Sequence, residues 1–154
     1  INCVNLEGLD GKGKTYLCEL YSKGMRVIPT IKSLDEFNKL ENSNEFVIKE
    51  INSFGSGIGQ KILKFEDLNK CFKEGYLIQP KLDFKSEVQC YFVGQELLYV
   101  YEYVPSKYPD YPEPKLIELN EEDKKLAYEF ARISGVKFGF QRIDFLKLKR
   151  CMIK

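Results

Sequence analysis

Three stretches of this 154-residue chain put together side chains that could hold or move phosphate. The first, "EGLDGKGKT" (7–15), satisfies the spacing G-x-x-x-x-G-K-[ST] through Gly8, Gly13, Lys14 and Thr15. The second, "INSFGSGIG" (51–59), carries Gly55, Gly57 and Gly59 among the small residues Ser53 and Ser56. Backbone N–H groups can converge on an oxyanion where no Cβ blocks the approach. Lys49, on the strand-like "FVIKE" that leads in, could carry its ammonium to the same phosphates. The third, "QRID", sets Arg142 and Asp144 two residues apart, and therefore on one face of a strand. By itself that spacing brings a cation and an acid side by side, which reads as a plain surface ion pair. Glu87, which opens "SEVQCYFV", reads by itself as an exposed strand acid.

Composition narrows the chemistry. The chain has no histidine, which removes Ser-His-Asp and Cys-His nucleophile systems and the usual histidine zinc sites. What remains is carboxylates, lysine, arginine, backbone amides and a hard metal ion. Net charge is +1, from 24 basic and 23 acidic residues, which argues against nucleic acid or a membrane surface as the main partner. No apolar run reaches the length that spans a bilayer. Five scattered cysteines (3, 18, 71, 90 and 151) without a C-x-x-C pair point to unpaired thiols in a reducing, cytoplasmic setting. With 44% hydrophobic and 14% aromatic residues the chain can bury a core.

The elements that must position these groups follow from periodicity. Residues 2–7 read as a strand, "KTYLCELYSKG" (14–24) as a helix ended by Gly24, and "RVIPT" as extended chain before and after Pro29. "SLDEFNKLEN" opens with a Ser33-x-x-Glu36 capping box and predicts a short helix. "EFVIKEI" and "QKILK" flank the glycine turn as two strands; "FEDLNKCFKEG" is a helix ending at Gly75. "YLIQPKL" is a strand with Pro80 near its end or on an edge, and "SEVQCYFVGQELLYVYEYV" is a hairpin, with Val88, Cys90 and Phe92 alternating with Glu87 and Gln89. A proline-rich loop, a helix capped by Asn120 and ended by Gly135, and a strand over "VKFGFQRIDFLKLK" complete the chain. Hairpins outnumber crossovers, so the class is α+β.

The first glycine stretch resembles the start of thymidylate kinases, and a P-loop nucleotide kinase using Gly8–Thr15 is one reading of it. Such kinases need parallel βαβ units, which the downstream hairpins do not supply. The chain as a whole resembles the ATP-grasp fold, in particular ligases similar to prokaryotic glutathione synthetase. "DGKGKTYLCELYSKGMRVIPT", "FVIKEINSFGSGIGQKIL", "YLIQPKLDFKSEVQCYFVGQELLYVYEYVP" and "FGFQRIDFL" carry the resemblance, in the family's order. It implies two α+β subdomains whose antiparallel sheets clamp the nucleotide, over residues 14–76 (with the glycine lid) and 77–154, with 1–13 as the tail of a preceding domain.

Carried over residue by residue, the resemblance makes Lys14 and Lys49 the lysines that meet ATP. Residues Ser53, Gly55, Ser56, Gly57 and Gly59 become a lid over the phosphates, and Leu77, Ile78 and Gln79 the hinge that meets adenine. Glu87 lies near ribose or metal, Asp144 is a Mg2+ ligand (Mn2+ being an alternative ion), and Arg142 is the cation beside the transferred phosphate. The family's next strand adds a Glu and an Asn to the metal site; the chain stops before any such pair, and the expectation is a fragment of a longer protein. The implied activity is an ADP-forming carboxylate–amine or carboxylate–thiol ligase working through an acyl phosphate on small-molecule substrates, with a homo-oligomer compatible with it. A non-catalytic nucleotide-binding module, using "YVPSKYPDYPEP" (103–114) to meet a partner, is the remaining alternative.

Overall fold

The computed structural model describes residues 14–40, 43–52, 59–105, 113–148 and 152–153. The predicted strand at 2–7, the glycine run 8–13, lid residues Ser53, Gly55, Ser56 and Gly57, and most of the proline-rich loop lie outside them. The chain divides into two compact units, one ending at Leu82 and the other beginning at Asp83.

The first unit opens with helix α1 (Tyr16–Ser22), stopped by Gly24 at φ 73°. The short helix expected after Ser33 is a 3-10 helix over Leu34–Lys39, with Ser33 as its N-cap but without the capping box. The Ser33 hydroxyl accepts from the Asp35 amide at 3.2 Å, one residue too early for the box, and Glu36 instead pairs with Lys39 at 2.8 Å. Strands β1 (Glu45–Glu50), β2 (Gln60–Lys64) and β3 (Tyr76–Pro80) form an antiparallel sheet in the order β2-β1-β3, and α2 (Phe65–Cys71) lies between the second and third. The unit ends beyond residue 76 because β3 is hydrogen-bonded to β1, pairing Lys49 with Leu77 and Val47 with Gln79.

Alternation explains which way this sheet faces. Phe46, Ile48 and Ile78 lie on one side and close a core with Ile31, Leu40 and Leu68. Phe37 adds its ring edge-on to Phe46, with centroids 4.9 Å apart. Lys49, Leu77 and Gln79 occupy the other side by the same two-residue period.

The second unit is a five-stranded antiparallel sheet in the order β6-β5-β4-β7-β8. Its strands are β4 (Ser86–Val93), β5 (Glu96–Tyr103), β6 (Lys115–Ile117), β7 (Phe140–Lys147) and β8 (Met152–Ile153). Helix α3 (Glu121–Ser134) begins at Asn120, whose side chain accepts from the Asp123 amide at 2.8 Å, and ends at Gly135 with φ 72°. Its buried stripe is Leu126, Ala127, Phe130 and Ala131. Opposite it stand the fully buried Val88, Cys90, Phe92 and Phe145; Phe130 and Phe145 meet edge-on at 5.6 Å. Cutting one such phenylalanine to alanine costs about 3–5 kcal/mol.

Candidate functional site

Of the described candidate residues on the sheets, Lys49, Leu77 and Gln79 in the first and Glu87, Arg142 and Asp144 in the second fall on the face opposite the core, whereas Ile78 points into the core. In the first unit the centre is Lys49. Its neighbours in β1, Phe46 and Ile48, are anchored in the core, so the strand holds the Lys49 backbone rigidly while the ammonium sits half-buried on the other side. Burial, and then repulsion from Lys14, push its pKa below the ordinary 10.5. Among the described residues no carboxylate lies within ion-pair distance of Lys49. Lys14 is brought beside it because the Lys14 amide donates to the Ile51 carbonyl at 3.2 Å, tying the start of α1 to the end of β1. Lys14 thus adds to the positive field at the partly desolvated Lys49 ammonium, a field that favours an anion there.

The same hydrogen bond bears on the P-loop reading. A P-loop lysine turns its own amide toward phosphate; here that amide is spent on Ile51. Both sheets are wholly antiparallel among the described residues, which do not include the strand and glycine run that would open that motif; the parallel βαβ units a P-loop kinase needs are not among them.

The hinge residues are mostly occupied. Gln79 is 2% exposed and its Nε2 donates to Thr30 Oγ1 at 2.9 Å. The Ile78 amide and carbonyl both bond to Ile31, at 2.9 and 3.1 Å. Leu77 is fully buried. At the exit of β3, Pro80 has no N–H and the Lys81 amide donates to the Glu45 carbonyl at 2.9 Å, so no main-chain amide there is open to a base before Leu82. Gly59, the described end of the glycine stretch, has φ +73°, and a Cβ there would stand 3.2 Å from the Glu50 side chain.

In the second unit, cross-strand register gathers the polar face. Gln89 lies opposite Asp144 and Tyr91 opposite Arg142. Across the other edge of β4, Glu87, Gln89 and Tyr91 oppose Tyr103, Tyr101 and Tyr99. Arg142 grips Asp144 with both nitrogens: Nε lies 2.8 Å from Oδ1 and a terminal nitrogen donates to Oδ2 at 2.9 Å. Partial burial works against the guanidinium charge, but Asp144 and Tyr91 outweigh it and raise the Arg142 pKa. Glu87 accepts from Gln89 Nε2 at 2.9 Å. The predicted ion pair is thus real, and it sits inside a hydrogen-bonded row rather than alone on the surface.

A cation would find Asp144 and Glu87 as hard-oxygen donors on this face. Among the described residues no group of three or more His, Cys, Asp or Glu comes together. The donor set therefore does not cage an ion, but it suits Mg2+, which keeps waters and takes phosphate oxygens beside one or two carboxylates. Sequence reasoning missed Tyr91 and the tyrosines of β5. The signal was present in the alternation of β4, where Tyr91 shares the parity of Glu87 and Gln89. Of the described cysteines, Cys18 and Cys71 are half-buried and Cys90 is buried, and none of the three is in a disulfide. No helix among the described residues is long and apolar enough to cross a membrane.

Compared with known proteins, the chain matches no family model and no curated protein sequence. It does match many solved structures. ATP-grasp ligase PsnB, complexed with a minimal precursor, aligns over 90% of this chain and 47% of its own at TM-score 0.64 and 14% identity. D-alanine–D-alanine ligase from Bacillus anthracis, complexed with ATP, aligns over 92% and 52% at TM-score 0.62 and 19% identity. N5-carboxyaminoimidazole synthetase from Staphylococcus aureus, complexed with ADP, aligns over 92% and 42% at TM-score 0.63 and 16% identity. The chain spans about half the length of these structures.

Proposed function

From the ATP-grasp fold as premise, we propose that this chain is the nucleotide-binding core of an ATP-dependent, ADP-forming ligase that joins a carboxylate to an amine or thiol. The observation that carries the reading is Lys49: a half-buried ammonium beside a second lysine, held by a rigid strand, at the entry to a glycine-rich turn. In this reading Lys14 and Lys49 neutralise the nucleotide phosphates, and the 53–59 segment closes over them. The base is met at the exit of β3, after Leu77, Ile78 and Gln79. Arg142 sits beside the phosphoryl group in transfer.

The reaction would proceed in two displacements. A carboxylate oxygen of the substrate attacks the terminal phosphorus of ATP, the bond to the bridging oxygen breaks, and ADP leaves. The amine or thiol then attacks the acyl carbon and inorganic phosphate departs. Lys49 and Arg142 offset charge that accumulates on the phosphoryl oxygens, which is where fixed cations lower a barrier most. Asp144, with Glu87 near it, would hold Mg2+, which when bound supplies Lewis-acid neutralisation of the phosphates. Substrates, an acyl-phosphate intermediate and a cytoplasmic location belong to this proposal.

The test uses the full-length protein. Lys49→Ala is expected to weaken ATP binding at least about tenfold by calorimetry, a loss of about 1.4 kcal/mol; ADP is expected to form over repeated turnovers only when an acid and an amine or thiol are both supplied, the acid alone supporting the first displacement but no sustained turnover. Unchanged ATP affinity in that variant, or no ADP with any acceptor pair, would sink the reading.

A further inference from the structure

Asp144 is asked to do two things. It accepts a hydrogen bond from Arg142 at Oδ2 and lies at ion-pair distance through Oδ1, and in the proposed reaction it turns to a cation. A carboxylate given to a metal no longer holds its arginine at full strength, yet that is the moment when the guanidinium must be aimed. Something else has to hold Arg142.

Tyr91 is built for this. It lies directly across from Arg142 in the β4–β7 register. Its hydroxyl donates to Gln89 Oε1 at 2.9 Å, and the Arg142 guanidinium and the Tyr103 hydroxyl are its other polar neighbours. A phenol has one proton to give and two lone pairs to offer, so all three contacts can be made at once. The proton is committed to Gln89, which leaves one lone pair for Tyr103 and one for a donor-only group such as arginine. Gln89 is fixed in turn, since its Nε2 donates to Glu87. The ring is fixed as well: it stacks on Tyr99 at 4.8 Å with an interplanar angle of 29°, and takes Tyr101 edge-on at 6.0 Å. Neither the ring nor the hydroxyl can turn without losing a partner.

We propose that Tyr91 is the positioning residue of this site, holding the Arg142 guanidinium toward the transferred phosphoryl group while the Asp144 carboxylate serves the cation. The inference rests on the role given to Arg142 above. Tyr91 touches neither substrate nor metal; it acts through arginine alone.

The experiment measures, in the full-length protein, affinities for ADP and for a non-hydrolysable ATP analogue, with turnover and melting temperature alongside. Arg142 would meet only the terminal phosphate, so its loss lowers the preference for the analogue over ADP. Arg142→Ala should lower that preference about tenfold. Tyr91→Phe keeps the stacked ring and should lower it about threefold to tenfold in the same direction, with kcat falling, KM for ATP little changed and the melting temperature held. In the Arg142→Ala background, Tyr91→Phe should add nothing. If Arg142→Ala lowers the preference and Tyr91→Phe leaves it intact, the Tyr91 inference is overturned and the ligase reading stands. If Arg142→Ala leaves the preference unchanged, the role given to Arg142 falls and the Tyr91 inference with it, while the ligase reading is decided by Lys49→Ala and ADP formation. Equal, additive losses in the double variant would also overturn the Tyr91 inference, because they would mean Tyr91 acts elsewhere.

Discussion

The residue that ties sequence to chemistry most directly is Lys49, and its charge makes a testable pH dependence. Burial, then Lys14, lower its pKa in the folded chain. The folded state therefore binds that proton less tightly than the unfolded chain does. Below the lowered pKa the charged lysine costs stability, and stability recovers as pH climbs from the lowered value toward 10.5. A bound triphosphate reverses the preference by favouring the ammonium. Nucleotide affinity should accordingly fall as pH rises through that alkaline window. In Lys49→Arg, whose guanidinium stays charged, the fall should flatten. Calorimetric titrations at neutral and alkaline pH decide it; the same fall in Lys49→Ala would assign the effect to another group. The Lys49 position was legible from the sequence, since a lysine on a strand before a glycine turn needs no tertiary information. Tyr91 was not, because its role depends on which strand lies alongside, and pairing of β4 with β7 joins residues far apart in the chain.

At the scale of elements, turns and caps carry the predictions. Gly94 turns the β4–β5 hairpin with φ 56°, its amide donates to the Gly139 carbonyl at 2.7 Å, and its own carbonyl accepts from Gln141 Nε2 at 2.7 Å. A Cβ there would stand 2.7 Å from the Lys137 carbonyl oxygen. Gly94→Ala is expected to cost roughly 1–3 kcal/mol, from backbone strain plus a clash against main chain. Gly24→Ala has the same backbone penalty with open space around it, and should cost only about 1 kcal/mol. Thermal melts of the two variants would separate strain from crowding; equal losses would contradict the contact. Asn120→Ala should remove the α3 cap and cost about 1 kcal/mol, read as a few degrees in the melting temperature. The helix over Glu121–Ser134 was legible because cap, acidic first turn and terminal glycine agree. The short helix over Leu34–Lys39 was legible too, but its capping box was not realised: Ser33 and Glu36 suit one by spacing, whereas Glu36 is drawn to Lys39. Strand β6 escaped notice because three residues after a proline-rich loop carry too little period to register.

Across the whole chain, two cores were foreseeable in kind but not in extent. Fold class and the antiparallel hairpins follow from period-two alternation, and the likeness to solved ATP-grasp structures agrees with them. The unit boundary does not follow from alternation: β3 looks the same in sequence whichever sheet claims it, and its bonds to β1 assign it to the first. Each core predicts its own local damage. Phe46→Ala should cost about 3–5 kcal/mol, and hydrogen exchange should quicken first in the amides of β1 and β3. Phe145→Ala should do the same for β4 and β7. Uniform quickening over all these strands from either substitution would contradict separate cores. The pairing of β4 with β7 carries one more implication. Because Ile143 and Phe145 alternate with Arg142 and Asp144, sliding β7 by one place would bury both charges beneath α3 and turn two greasy side chains outward. The oily half of that ribbon is thus the address label of its polar half, and any variant that loosens the former should scatter the latter before the chain unfolds.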